Sequence, residues 1–542
     1  MIQPTIAPGG SSPALAPITR ALLVGALAVA GLSHLLATLQ PVFSDEFLVL
    51  GNFWDFVQHR TVIPGHAQYP ALYSYMTAPL TGLFLAAGLW AGLPPCVYDV
   101  SEWIALRPEL GMWPARLVSL VCWGVCVWAV WRIAREMLQE ATAAWLAVVA
   151  FATSVGTLEY SGYGLPDAAM MMFAALAALH ATRLARGEQM RRSALLAGLL
   201  GGLALATKYT ALALALPLLV AGWLSRGESR ARVLARLGAW AAVGFFLGCP
   251  GWIVAPTHYW RGLMLEREHM AAGHLGFWGV PLLGQLELLT VADPFVLLLA
   301  VTGTVAVLAR PAERSRPDRI VLLALAGAVL LMGAAARKQS LHYLFALYPA
   351  LAVLAGLVVA ASSGRARERL ALAVAAGLLG CAAWGLWWGY RVALLPDSLV
   401  LARQWINGHL PEGSAVAVDW IDVPRLVGEE ELAALTAELR SDLVRAAYAG
   451  LRGFPTVAMQ YDEAFLRSSQ AECIITSSTC YARFFEFGLF TRIPPPEGTP
   501  LRAEFDRRRA FYQALFEGRY GWHIVYDLET GNGPRVLIFR RR

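Results

Sequence analysis

The chain has 542 residues, of which 57% are hydrophobic and 15% charged, with a formal charge of +6 and a mean hydropathy of +0.52. A soluble domain carries about 25% charged residues, so this composition excludes a water-soluble globular protein and describes a polytopic membrane protein. The positive excess needs no nucleic-acid partner, because it sits in short connections between apolar runs, where basic residues set orientation in a bilayer.

Residues 1–19, rich in Pro, Gly, Ser and Ala, are expected to form a disordered cytoplasmic tail. A helix that crosses a bilayer needs roughly 17–25 apolar residues. Such runs lie near 20–39, 114–134, 140–157, 167–182, 193–207, 209–225, 237–256, 284–309, 321–336, 343–362 and 371–393. The predicted fold class is therefore an α-helical membrane bundle of about 11 crossings plus juxtamembrane helices, over residues 20–393. The first run is not expected to be a cleaved signal peptide, since its apolar core is long and no small-x-small site follows it.

Basic residues cluster in alternate connections: Arg132 and Arg135, then Arg183 to Arg192, Arg226 to Arg236, Arg310 to Arg319, and Arg365 to Arg369. Positive loops stay in the cytoplasm, which places the N-terminus inside and residues 394–542 outside. The run 71–93, punctuated by Pro70 and Pro79, makes no net crossing on this topology. It is predicted to be a juxtamembrane or re-entrant helix within one external loop, 40–113. A second external loop spans 257–283. Residues 394–542 have the size of one domain. Their strand-like runs SAVAVD, AECIITSS, WHIVYDL and PRVLIFRR alternate with helical segments, as in a small extracytoplasmic α/β domain. In that oxidising location a Cys473–Cys480 disulfide is open, whereas Cys122 and Cys126 read as packing residues within the membrane.

The unusual polar residues fall at one predicted face. Lys208 and Lys338 are the only lysines in the chain, and both lie at the external level. Asp45, Glu46, His66, Arg116, Glu159, Asp167, His258, His269 and His342 lie near it. Asp45-Glu46 follows the first crossing and Pro41, and two readings are open: the acids cap a juxtamembrane helix, or they do chemistry at the lipid–water boundary. In the 257–283 loop, Glu266 and His269 are three apart and share a helix face, and His258 and His274 are nearby. A divalent metal is compatible with that spacing, but no HExxH or Cys/His motif calls for one. A mobile lid over a cavity is the expected role of this loop.

Several segments resemble one family. SDEFLVLGNFWDF looks like the Asp-Glu loop of the protein O-mannosyltransferase and aminoarabinose-transferase superfamily, the GT-C glycosyltransferases. HAQYPALYSYMTAPL is similar to its His/Lys-Pro-Pro-Leu-Tyr segment, with Gln68-Tyr69 in place of the first proline. WPARLVSLVCWGVCVWAVW resembles its Arg-led core helix, and GLPDAAMMMFAALAALHA its Arg-x-Asp helix start, with Leu165-Pro166 where the arginine stands. GLLGGLALATKYTALALALPLLV resembles its Lys-centred hairpin, and KQSLHYLFALYPAL its late Arg-Tyr…Pro motif, with His342 in the arginine's place. The match is good over residues 20–230, thinner to 360 and weak beyond.

The resemblance implies transfer of a sugar from a polyprenyl-phosphate carrier to an acceptor outside the bacterial inner membrane, with inversion. An attacking hydroxyl must lose a proton, which needs a carboxylate within hydrogen-bond reach. Asp45 is the expected base, with Glu46 orienting the acceptor or tuning Asp45. Arg116, Lys208, Lys338 and His342 are the expected donor-phosphate contacts. His66, Tyr69, Asp167, His258 and His269 are expected to line or support the pocket. The expected acceptor is a protein or a glycolipid or glycan, and no cofactor is firmly predicted, with a divalent metal left open. A transporter or flippase of a lipid-linked saccharide, or a non-catalytic scaffold of this fold, remains the alternative. Transporters place ionisable groups near the midplane, however, and here the helix centres are clean.

Overall fold

A computed structural model describes residues 15–41, 45–90, 108–273, 275–424, 426–438 and 451–542. Of the expected N-terminal tail, residues 1–14 lie outside the described residues, and the first helix already begins at Leu15. The apolar runs named above are helical over their described residues, with residues 91–93 of the run 71–93 outside them. Among the described residues, 7 helices are long and apolar enough to cross a membrane, or up to 9 when two bent pairs are each counted as one span.

One expected crossing is a broken helix. The run 284–309 forms two helices, Leu283–Ala292 and Pro294–Leu308, bent by 116°. Pro294 is the reason: it has no N–H to continue the first helix, but its fixed φ suits the first turn of the next. The run 140–157 also breaks, by 54°, between Ala141–Ala152 and Val155–Ser161. A single buried carboxylate holds both breaks. Asp293 accepts from the Val155 and Gly156 amides at 2.7 and 3.1 Å and from the Tyr348 hydroxyl at 2.8 Å. The run 71–93 is one helix, Leu72–Trp90, with Pro79 inside it, packed against Glu46–Gln58 and Pro108–Leu138.

Burial sorts the bundle into centre and rim. The span Leu341–Ala360 is 89% buried and Pro166–Ala185 78%, against 22% for Arg230–Gly248. That rim helix is nevertheless held closely to Met190–Thr207. A Cβ on Gly202 would lie 2.1 Å from the Ala241 carbonyl, and one on Gly244 2.2 Å from that of Leu199. Small residues that let helix backbones approach are the usual device for packing in lipid, where no hydrophobic force drives helices together.

At one end of the bundle the arginine-rich connections assemble into an ion network. Glu136 receives Arg183 and, at 2.8 Å, Arg186, which also reaches Asp318 at 3.5 Å. Arg319 is buried beside Glu313 at 3.3 Å.

The C-terminal segment carries one sheet: β1 (Val416–Val418), β2 (Thr456–Ala458), β3 (Cys473–Ser477), β4 (Trp522–Leu528) and β5 (Val536–Arg541), in the order β2-β1-β3-β5-β4. β1 is parallel to β2 and β3, while β5 runs antiparallel between β3 and β4. The short β2 was not predicted. Period-2 alternation gives the sheet two apolar faces. Val416, Cys473, Ile475 and Ile538 pack on one, and Ala417, Ile474, Phe539 and Cys480 on the other. The question left open for Cys473 and Cys480 is answered by this packing: they are free buried thiols in the two different cores.

A strap at 275–280 joins this segment to the bundle. Gln339 donates to the Phe277 carbonyl at 2.8 Å and Gly279 to that of Arg337 at 3.0 Å. On the other side, Ile493 donates to Trp278 at 3.1 Å and Val280 to Phe490 at 2.9 Å. Nearby, Glu287 accepts from the amides of Leu489, Phe490 and Thr491 at 2.8, 2.6 and 2.9 Å.

Candidate functional site

Opposite the arginine network, where helices end at Ala37 and Thr207 and begin at Pro166 and Leu341, the chain gathers its scarce acids and both lysines. Asp45 stands at the N-cap position of Glu46–Gln58, yet its carboxylate makes no capping hydrogen bond. Its side chain is therefore not engaged as a hydrogen-bonding cap, although the Asp45 carbonyl accepts from the Leu48 amide at 3.2 Å. Its carboxyl is held above the ordinary carboxylate range, first by burial. Lys338 and then Lys208 pull it back down, while Asp167 and Glu266 push it up. These five charged groups thus act on one another across a single small region.

Glu46 turns away from Asp45 into the protein and is fully buried. Arg116 donates to it twice, from Nε at 2.9 Å and Nη2 at 2.7 Å, and the Gly164 amide adds a third bond at 2.6 Å. Arg116 also donates to the carbonyls of Thr38 and Gln40 at 2.9 and 2.7 Å. A guanidinium whose planar fork is filled by a carboxylate and backbone carbonyls has no edge left for a phosphate. The expectation that Arg116 touches the donor is corrected accordingly: with Glu46 it ties the chain after the first helix to the Pro108–Leu138 helix and so fixes where Asp45 stands. Glu46, enclosed in that pair, is equally out of reach of an acceptor.

Lys208 sits at the break between Met190–Thr207 and the short 3-10 helix that follows. Its ammonium is 2.7 Å from Asp167, the second residue of Pro166–Ala185, and both are buried. The rings of Tyr69 and Tyr343 lie 5.3 and 6.0 Å from it, in cation–π range. The Tyr343 hydroxyl donates to Glu266 at 3.5 Å. Lys338 is different: its backbone bridges Trp278, whereas its ammonium has no hydrogen-bonded partner among the described residues and acts on Asp45 and His342. His342 holds Ser340 at 3.0 Å and faces Tyr160 at 3.4 Å through Nδ1.

The remaining expected residues surround this centre without entering it. His66 is exposed at the mouth of a small cavity lined also by Asn52, Tyr69, Tyr73 and Pro166. His258 is bound through Nε2 to the Pro64 carbonyl at 2.9 Å. His269 is half-buried on the same helix, Pro256–Ala272, one turn after Glu266. The 257–283 segment is thus largely a 17-residue helix, Pro256–Ala272, where a loop was expected. Gly262 seats that helix on the 64–68 segment so closely that a Cβ would lie 2.0 Å from the Ala67 carbonyl. Among the described residues no three His, Cys, Asp or Glu side chains converge as metal ligands, and His274 lies outside them. Tyr343, Tyr160 and Asp293 were missed in the sequence. The first adjoins His342 in the SLHY run, and Asp293 was signalled by an Asp-Pro pair inside an apolar stretch.

Residues 103–260 match the family model of the dolichyl-phosphate-mannose-protein mannosyltransferases. No curated protein sequence matches the chain. Among solved structures, ArnT from Cupriavidus metallidurans bound to undecaprenyl phosphate is similar, with 16% identity and a TM-score of 0.53, over 96% of this chain and 97% of that one. The apo oligosaccharyltransferase of Archaeoglobus fulgidus is also similar, with 12% identity and a TM-score of 0.50, over 94% of this chain and 80% of that one.

Proposed function

We propose that this chain, which has the fold of the GT-C glycosyltransferases, is a membrane enzyme that moves a sugar from a polyprenyl-phosphate carrier to an acceptor hydroxyl outside the cytoplasm. The observation that carries this reading is the convergence of an uncapped, partly buried Asp45 with two lysines at one end of the bundle. Its fold relative ArnT binds undecaprenyl phosphate, a carrier of the class proposed here.

In the reaction, an acceptor oxygen bonds to the anomeric carbon as the bond from that carbon to the phosphate oxygen breaks. The hydroxyl proton passes to Asp45, and attack opposite the leaving group inverts the centre. Negative charge grows on the departing phosphate, where fixed cations in a dry site stabilise it far better than water-screened ones. Lys338, with no ion pair among the described residues, is the direct phosphate contact. Lys208 is half-neutralised by Asp167 and braces the pocket beneath Tyr69 and Tyr343. His342 borders the same space. Arg116 and Glu46 position Asp45.

The test is Asp45→Asn in the full-length protein, assayed with a radiolabelled polyprenyl-phosphate sugar. A positioned general base contributes about 10²–10⁴-fold, so transfer falls by that order while membrane insertion and thermal stability hold. Full transfer by this variant removes Asp45 from the mechanism.

A further inference from the structure

The C-terminal sheet has a second concave site. Ser478 and Thr479 follow β3, Glu529 follows β4 and Arg535 precedes β5, so all lie at the end of the sheet where the parallel strands have their carboxyl termini. Open α/β sheets bind ligands outside that end. Here the 275–280 strap closes the space into an open cleft of about 450 Å³, within the roughly 300–1,000 Å³ of small-molecule sites.

Its floor is Arg483, which is 5% exposed and stacked between two rings, Phe277 of the strap at 5.0 Å and Trp420 at 4.9 Å. Arg483 donates to the Thr479 carbonyl at 2.7 Å, which orients its guanidinium. Around it, cations and acids alternate: Arg492 and Arg535 with Glu486 and Glu529, beside the Tyr481 ring. A phosphate site would gather cations without acids. A peptide that adds a strand needs a sheet edge, and the cleft lies at the end of β3, an inner strand. A polyhydroxylated ring suits it best, since each sugar hydroxyl both donates and accepts and the apolar ring face can lie on Phe277 or Tyr481. The strap that forms one wall also carries Trp278, whose backbone bridges Lys338.

We propose that this cleft binds the saccharide of the acceptor, and that the acceptor is therefore a glycan or glycolipid and not a peptide. The inference rests on the transferase reading above. The experiment uses the full chain in phosphatidylethanolamine/phosphatidylglycerol nanodiscs, applied to an array of immobilised envelope oligosaccharides and Ser/Thr peptides. Undecaprenyl phosphate binding is measured on the same preparation. The variant is Glu486→Ala/Arg492→Ala/Glu529→Ala, three exposed side chains whose loss leaves the core intact. The expected result is retention on a subset of glycans, weakened at least tenfold by the triple variant, with undecaprenyl phosphate binding unchanged. Glycan retention that the variant leaves intact overturns the proposal, and so does retention on peptides alone. No retention on any glycan, with undecaprenyl phosphate still bound, also overturns it while leaving the transferase reading standing. Loss of undecaprenyl phosphate binding in the unsubstituted protein counts against that reading instead.

Discussion

Asp45 and Glu46 are neighbours with opposite fates, and the difference is one of partners. Glu46 is enclosed by Arg116 and the Gly164 amide, whereas Asp45 feels Lys338 and Lys208 across a shared space. Removing one member of a buried ion pair strands the other and costs about 3–5 kcal/mol. Arg116→Met is thus expected to lower thermal stability by that amount, and Arg116→Met/Glu46→Gln to recover much of it, as read by melting in detergent. Asp45 also sets a pH dependence. A base must be deprotonated, and burial raises this carboxyl, so transfer declines on acidification through a value above the ordinary carboxylate range. Because Lys338 pulls that value down, Lys338→Met should move the acid limb of kcat/KM to higher pH and raise the KM for donor. An unmoved limb would separate the two residues. At this scale the sequence was informative wherever a charge interrupted an apolar run, as at Lys208 and Asp45. It said nothing of which charge meets which, since Arg116 and Glu46 are 70 positions apart and only the fold joins them.

Elements in this bundle are defined as much by where they break as by where they run. Hydropathy located the apolar segments because burial in lipid demands them, but it read 284–309 as one crossing although Asp293-Pro294 divides it. Asp293 then serves two broken helices at once, accepting from the amides that begin Val155–Ser161 and from Tyr348. Asp293→Leu leaves those buried donors unsatisfied, at about 1–3 kcal/mol each by the usual penalty. It should lower the melting temperature and, because His342 and Tyr160 stand on the elements concerned, transfer as well. The packing of Met190–Thr207 on Arg230–Gly248 makes a sharper case. With 2.1 Å available to a Cβ at Gly202, Gly202→Leu forces the helices apart and costs about 1–3 kcal/mol or more, visible as loss of folded protein in detergent. β2, three residues long and exposed at its ends, carries too little pattern to be found by alternation.

For the molecule as a whole, the alternation of arginine-rich and arginine-poor connections matches the separation seen in the fold. The Glu136–Arg186–Asp318 network lies at one end and the Asp45–Lys338 group at the other. If the arginine-rich end faces the cytoplasm, a membrane-impermeant maleimide applied to intact cells should label Leu489→Cys, which is 82% exposed. Arg191→Cys, with an 85% exposed side chain, should label only after permeabilisation. The reverse pattern inverts the topology. Cys96 and the half-buried Cys381 are first replaced by Ala, since Cys96 lies outside the described residues, while Cys122, Cys126, Cys249, Cys473 and Cys480 are buried. The strap at 275–280 has a mechanical corollary. It is stitched to 337–339 on one side and to 490–493 on the other, so tugging on either flank drags its neighbour along. If the proposed cleft and pocket are both occupied in turn, a guest against Phe277 is expected to shift the Lys338 backbone, and filling one site should alter affinity at the other.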